Sequence, residues 1–205
     1  MKLPSIVVLL ACALSSNSVH AAGGAFGDFA LGPKATLLSF PAVIGGGIEA
    51  RYQTMFGASL DYQVLPSFTV SGVKVGLSTL TGAIRVFPLQ GSFFLGTHIG
   101  SRSFTASRTE DVGGTPTKLT ADVTSTILTP HLGWRWGGTQ GIFLGMEFGW
   151  QLSLSNTVKL TTDPASAATG TAEYQQLERD VNEKANDIGK AGLPHFSILQ
   201  IGYLF

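Results

Sequence analysis

Strict alternation of two kinds of side chain in residues 142–154 most constrains what this chain can fold into. One set is apolar throughout, and the other set is small or polar. Successive side chains of a β-strand point to opposite faces, so a period of two predicts a strand with one apolar face. The apolar set is Ile142, Leu144, Met146, Phe148, Trp150, Leu152 and Leu154. Similar alternation in residues 79–87, 93–103 and 128–136 predicts an all-β protein.

The connections between these strands alternate between short and long. Short turns are predicted at residues 53–57, 88–91 and 137–141, and longer polar connections at 66–72, 106–118 and 159–194. The pair of strands around Arg85 and Phe94 resembles the pair around Arg135 and Phe143, which indicates an internal hairpin repeat. Short turns at one end and long loops at the other are typical of an outer-membrane β-barrel. We predict eight strands, at residues 34–41, 44–52, 57–66, 72–87, 92–106, 119–136, 141–158 and 194–205.

A water-soluble β-sandwich or barrel is the alternative for any all-β chain with regular turns. In a soluble barrel the apolar face would point inward, and charged residues such as Glu49, Arg85 and Glu147 would lie outside. We favour the membrane barrel, because an apolar face recurs on nearly every strand.

Composition excludes several classes of protein. Thirteen basic residues balance 13 acidic residues, so the chain lacks the positive charge with which nucleic-acid-binding proteins neutralise phosphates. Hydrophobic residues make up 44% of the chain, too many for an intrinsically disordered protein. No run of about 18 apolar residues is present, which excludes a bundle of membrane-spanning helices.

The first 21 residues are predicted to be a secretory signal peptide. Lys2 precedes an apolar stretch at residues 6–14, and small residues follow around Ala21. A lipoprotein signal ending at Cys12 is the less favoured alternative. Because Cys12 is the only cysteine, the mature chain would have neither a disulfide nor a thiol nucleophile. Residues 22–33 are predicted to be a flexible N-terminal segment, and residues 34–205 the barrel.

The last residues and one early hairpin carry a family resemblance. Leu199, Ile201, Tyr203 and Phe205 share one face of the final strand, and this resembles the C-terminal assembly signal of Gram-negative outer-membrane barrels. Residues 47–52, followed by residues 57–62, resemble a hairpin of the small OmpA- and OmpX-like barrels. The resemblance implies an eight-stranded antiparallel transmembrane barrel. It also implies contact with the barrel-assembly machinery and with outer-membrane lipid.

The predicted inward face carries opposite charges that could fill a narrow lumen. An eight-stranded barrel is just wide enough for its side chains to fill its interior. We predict a lumen charge network rather than a catalytic or metal site, with no cofactor. The predicted members are Glu49, Arg51, Asp61, Arg85, His98, Arg102, His131, Arg135, Glu147 and Gln151. Phe94 and Phe143 are predicted to help seal the short-turn end.

Three alternative interpretations of the inward residues remain open. Inward glycines, among them Gly96 and Gly145, could leave a narrow water-filled channel, or could mark the kinks that curve strands around a small barrel. His98, His131 and Glu147 could hold a divalent metal, although hydrogen bonding within the plug is the preferred interpretation. His195 and Ser197 are similar to a His-x-Ser pair of outer-membrane lipid deacylases, but no orienting acid can be assigned.

The outward face is uneven in side-chain size. Small residues on strands two to four predict a possible surface for homo-oligomers, since small residues allow close packing within lipid. This surface is Gly46, Ala50, Ala58, Ser78 and Gly82. Aromatic residues near strand ends predict an interfacial girdle on the short-turn side. The predicted girdle is Tyr52, Phe87, Trp136, Tyr203 and Phe205.

The longest connection, residues 159–194, is predicted to be partly helical and extracellular. Residues 172–188 are rich in helix formers and carry a narrow apolar stripe. The stripe is Tyr174, Leu177, Val181, Ala185 and Ile188. Such a helix could cover the barrel mouth or dock a partner. The sequence therefore predicts a non-enzymatic protein that organises or stabilises the outer membrane, with a diffusion channel and a lipid-modifying enzyme as alternatives.

Overall fold

The computed structural model describes residues 29–70, 72–112, 115–163 and 172–205. The predicted signal peptide and the residues up to 28 lie outside this part of the chain. The described strands are β1 Phe29–Thr36, β2 Ser39–Phe40, β3 Ile44–Tyr52, β4 Phe56–Val70, β5 Val73–Val86, β6 Phe93–Val112, β7 Thr115–Trp136, β8 Gly141–Asp163 and β9 Leu193–Leu204. One helix, α1, spans Ala172–Lys190.

The strands form a closed antiparallel ring, which confirms the predicted eight-stranded barrel. Each strand from β3 to β9 pairs with its neighbour in sequence, and β1 pairs with both β3 and β9. The closing register places Lys34 opposite Gly202. β2 is a two-residue strand that also pairs with β9, beside the end of β1. Closure leaves no free sheet edge in the body of the barrel, so its backbone groups are bonded within the sheet.

The first strand begins earlier than the sequence predicted. β1 covers Phe29–Thr36, whereas we expected a strand at residues 34–41 preceded by a flexible segment. Its burial alternates, with Phe29 and Leu31 exposed and Ala30 buried. The period of two was hard to see because small inward residues and Pro33 interrupt it. Of the predicted flexible segment, residues 29–33 therefore belong to the barrel.

The strands at the long-loop end extend well beyond their predicted limits. β4 reaches Val70, and β6 and β7 stay paired up to Val112 and Thr115, so the long connections predicted at 66–72 and 106–118 are wrong. β8 continues to Asp163, which shortens the predicted loop 159–194. Polar residues make up most of these extensions, and threonine, the commonest of them, favours extended backbone without adding to an apolar face. Hydrophobic alternation therefore misses them.

Helix α1 packs on the inner side of the extended wall formed by β7 and β8. Ala185 is buried against Ala121 and Val123, and Val181 packs beside them. Ile188 is exposed, so the predicted apolar stripe does not extend to that residue. The side chains of Tyr174 and Leu177 lie outside what the structure describes. No helix in the described part of the chain is long and apolar enough to cross a membrane.

The barrel places polar residues inside and apolar residues outside. Glu147 is 0% exposed, whereas Ile84 on the outer surface is 64% exposed. Exposed large apolar side chains occur on every strand of the ring, including Leu31, Ile48, Leu60, Leu80, Ile99, Leu132, Leu152 and Ile201. This distribution is the reverse of a water-soluble barrel, in which burial of apolar surface drives folding. The water-soluble alternative is therefore disfavoured.

Candidate functional site

The predicted lumen residues all lie on the buried, inward face of the barrel. All ten predicted members are buried, from Glu49 on β3 to Gln151 on β8. Two further titratable residues, Lys34 and His195, also lie inside. Lys34 was missed because β1 was predicted to begin at that residue. His195 was considered only as a catalytic candidate, because strict alternation groups it with outward Ile201 and Tyr203. The irregularity in β9 between Ser197 and Gln200 reverses that parity and turns His195 inward.

Two acidic residues organise the charges on one side of the lumen. Lys34 Nζ lies 2.8 Å from Asp61 Oδ1 and 3.8 Å from Glu49 Oε2. Ser59 donates a hydrogen bond to Asp61 Oδ2 at 2.6 Å. Arg135 Nη1 lies 2.8 Å from Glu49 Oε1. Each buried carboxylate therefore faces a cation, as burial of charge requires.

Glu147 is the hub on the other side. Arg85 Nη2 donates to Glu147 Oε2 at 3.1 Å, and Arg85 Nη1 donates to Ser59 at 3.0 Å. Arg85 Nη1 also lies 3.8 Å from Glu49 Oε2. Arg85 thus links the two acidic sides of the lumen. Because all of these groups are buried, loss of one partner leaves an uncompensated charge inside the barrel.

Three histidines surround Glu147. His195 Nε2 lies 3.1 Å and His98 Nε2 3.3 Å from Glu147 Oε1, while His131 Nε2 lies 3.8 Å from Glu147 Oε2. The His98 and His131 rings are 4.2 Å apart, and the His98 and His195 rings 5.4 Å apart. His131 Nδ1 lies 3.2 Å from the Thr129 carbonyl oxygen. The sequence placed His98, His131 and Glu147 together, and the structure adds His195.

Aromatic rings stacked with arginines close the short-turn end. The Arg51 guanidinium lies 4.1 Å from the Phe87 ring centre, and that of Arg135 lies 3.9 Å from the Phe143 ring centre. Phe87 is fully buried, so its predicted place in the outward girdle is wrong. It lies inside because it continues the inward parity of Ala83 and Arg85 on β5. Phe94 and Phe143 are buried as predicted.

The predicted charge network divides into separate groups. Arg51 donates to the carbonyl oxygens of Gln53 and Thr54, at 3.3 Å each, and so stabilises the turn after β3. Arg102 lies at the opposite end and donates to Gln151 Oε1 at 3.2 Å. Arg102 Nη2 also lies 3.3 Å from the carbonyl oxygens of Gly189 and Ala191. Arg102 therefore anchors the end of α1 in the mouth of the barrel.

Glycines beside the long inward side chains provide their space. His131 pairs with Gly96 on β6 and with Gly149 on β8. A Cβ atom at Gly96 would lie 2.8 Å from the His131 ring, and one at Gly149 would lie 2.8 Å from His131 Cβ. Arg85 likewise pairs with Gly57 and Gly96. These glycines make room for the imidazole and guanidinium groups, so they do not leave a water-filled channel at this level of the barrel.

The His195 and Ser197 pair lacks access to substrate. Ser197 is 0% exposed, and its Oγ has no hydrogen-bond partner among the described residues. His195 directs Nε2 toward Glu147. Both side chains are buried on the lumen side of β9. The geometry therefore gives no support to a lipid-modifying reaction at these residues.

The predicted small residues lie on the outer surface, but they do not form a smooth patch. Ala50 and Ala58 are paired, whereas Gly46 pairs with Tyr62 and Gly82 with Leu60. Tyr62 and Leu60 are both exposed. The predicted girdle residues other than Phe87 are exposed as well. They are Tyr52, Trp136, Tyr203 and Phe205.

Comparisons with known proteins find similarity to solved structures but no significant similarity in sequence. No protein-family model matches the sequence, and no curated protein matches it significantly. Among solved structures, CarO of Acinetobacter baumannii is similar with 15% identity and a TM-score of 0.48, over 86% of this chain and 97% of that one. CarO2 of the same organism gives 13% identity and a TM-score of 0.46, over 86% and 98%. Similarity at this level carries no functional argument.

Proposed function

We propose that this protein is an integral outer-membrane β-barrel of a Gram-negative bacterium, with a lumen closed by its own side chains. The reversed distribution of polarity carries the proposal. A continuous outer surface of exposed leucine, isoleucine and aromatic side chains encloses buried ion pairs. Such a surface is stable only in lipid, because large exposed apolar patches promote association in water.

The closed lumen supports a non-enzymatic role in organising or stabilising the membrane. Ion pairs fill the centre, aromatic rings cover the short-turn end, and α1 is bonded to the opposite mouth. Outer-membrane lipid and the barrel-assembly machinery are the expected partners. Leu199, Ile201, Tyr203 and Phe205 support recognition by that machinery. Contact between copies through strands β3 to β5 remains part of the proposal.

A narrow diffusion channel is the second candidate. A cavity of about 390 Å³ opens among the short turns, lined by residues that include Gln53, Thr54 and Gln140. Above these turns, buried Arg51 Nη1 has no hydrogen-bond partner among the described residues. Buried polar atoms of this kind are commonly satisfied by water. A hydrated path that continued past Arg85 and Glu147 would let small solutes pass.

Conductance in planar lipid bilayers separates the two candidates. The refolded protein is compared with Glu147→Ala, which removes the hub of the plug, and with Leu144→Ala, a lipid-facing control on the same strand. For a closed barrel we expect no discrete steps from the wild type or the control, and unstable leakage from Glu147→Ala. Regular conductance steps from the wild type would replace the plugged barrel with the channel.

A further inference from the structure

We propose that His98, His195 and Glu147 form a binding site for a zinc-class divalent metal ion inside the barrel. Their nearest ligand atoms all lie within 4.8 Å of one another, and all three residues are buried. The chain has four histidines, and one of them, His20, lies in the predicted signal peptide. The other three all converge on one carboxylate. Convergence from β6, β7 and β9 is a property of the fold that no local motif encodes.

The distances around Glu147 fit tetrahedral coordination. Zinc binds histidine nitrogen and carboxylate oxygen at about 2.0–2.1 Å, so neighbouring tetrahedral ligand atoms are about 3.3 Å apart. The Nε2 atoms of His98 and His195 lie 3.3 and 3.1 Å from Glu147 Oε1. The separation between the ligand atoms of the two histidines, which is at most 4.8 Å, would have to contract to about 3.3 Å around an ion. Two imidazoles and one carboxylate also leave a fourth position for water or for His131.

Hydrogen bonds orient Glu147 and His131, whereas Nδ1 of His98 and Nδ1 of His195 have no hydrogen-bond partner among the described residues. Arg85 holds Glu147 Oε2, which leaves Oε1 directed at His98 and His195. His131 Nδ1 is placed to donate to the Thr129 carbonyl, which would leave Nε2 with its lone pair beside Glu147. His131 Nε2 has no hydrogen-bond partner among the described residues. Ligating carboxylates and histidines are usually oriented by hydrogen bonds of this kind.

The charge of the lumen limits the affinity. Among the described residues, five buried cations face three buried carboxylates: Lys34, Arg51, Arg85, Arg102 and Arg135 against Glu49, Asp61 and Glu147. This excess opposes a divalent ion, so we expect weaker binding than in closed structural zinc sites. The closed lumen also implies that the ion enters during folding.

Metal content after refolding tests the proposal. Untagged protein is refolded with ZnCl₂ or CoCl₂, excess metal is removed by gel filtration, and metal per chain is measured by mass spectrometry. We expect about one ion per wild-type chain, and a loss of at least tenfold in His98→Gln and His195→Gln, because each removes one ligand. Ser197→Ala is the matched control, since this buried residue lies beside His195 and offers no ligand in the set; it should keep the ion.

Folding is checked for each variant by its heat-dependent migration in gels. If a histidine variant does not fold, the Co²⁺ spectrum of the wild type decides. Intense visible absorption of four-coordinate cobalt supports the site, whereas the weak spectrum of six-coordinate cobalt overturns it. Absence of metal from wild type refolded with zinc, or equal metal in all folded variants, also overturns the proposal.

Discussion

The inward and outward faces of the barrel are packed according to different rules. On the outward face, exposed Ile84 and Leu60 would need only to be apolar in the proposed membrane, because fluid lipid tails adapt to their shape. On the inward face, His131 fits only because Gly96 and Gly149 flank it. Fixed neighbours and buried charge therefore make the inside intolerant of change. The same strand thus carries a permissive side and a restrictive side.

Removal of the Glu147 carboxylate should cause the largest loss of stability. Glu147→Ala leaves Arg85 buried without its 3.1 Å partner, and breaking a buried pair costs about 3–5 kcal/mol. The measurement is equilibrium unfolding by urea in lipid vesicles. Leu144→Ala, on the outward face of the same strand, should lower the free energy of unfolding clearly less. Equal losses for the two variants would contradict the difference between the faces.

Crowding the space of His131 should have the next largest effect. Gly149→Val places methyl groups where even a Cβ atom would lie 2.8 Å from His131 Cβ, and overpacking of this kind costs about 1–3 kcal/mol. Gly82→Val is the control, because a Cβ atom there meets nothing closer than 3.9 Å. Unfolding in urea should show the loss only for Gly149→Val. A stable Gly149→Val barrel would mean that the lumen is loosely packed.

Release of α1 should have the smallest effect on global stability. Arg102→Ala removes the donor that lies 3.3 Å from the carbonyl oxygens of Gly189 and Ala191, so α1 loses an anchor while every strand keeps its partners. We expect faster amide hydrogen exchange in α1 and little change in the barrel strands. Arg179→Ala, at an exposed position on the same helix, should leave exchange unchanged. Unaltered exchange in Arg102→Ala would show that Ala185 and Val181 hold the helix without it.

The period of two identified most of the barrel, and its failures have physical causes. It found β3, β6 and β8 because apolar side chains recur on one face of each of these strands. It missed the ends of β6, β7 and β8, where threonine and serine continue the hydrogen-bonded ladder without an apolar face. Phe87 was misplaced for another reason: it was assigned outward as an aromatic residue near a strand end, although its parity with Arg85 places it inside. Lys34 was not recognised as an inward residue because the start of β1 was predicted too late in the sequence.

The sequence by itself determined the fold class and predicted that polar side chains point into the barrel and apolar side chains point out of it. Alternation is a local property, so it reveals which side chains share a face, and the charged set could be assigned to the interior without coordinates. Tertiary structure alone decided which inward residues meet. His98 and His195 are 97 positions apart in sequence, yet both reach Glu147 because the barrel closes and its register sets their depth. Strand stagger and ring closure are non-local, which is why the triple-histidine cluster emerges only in the folded barrel.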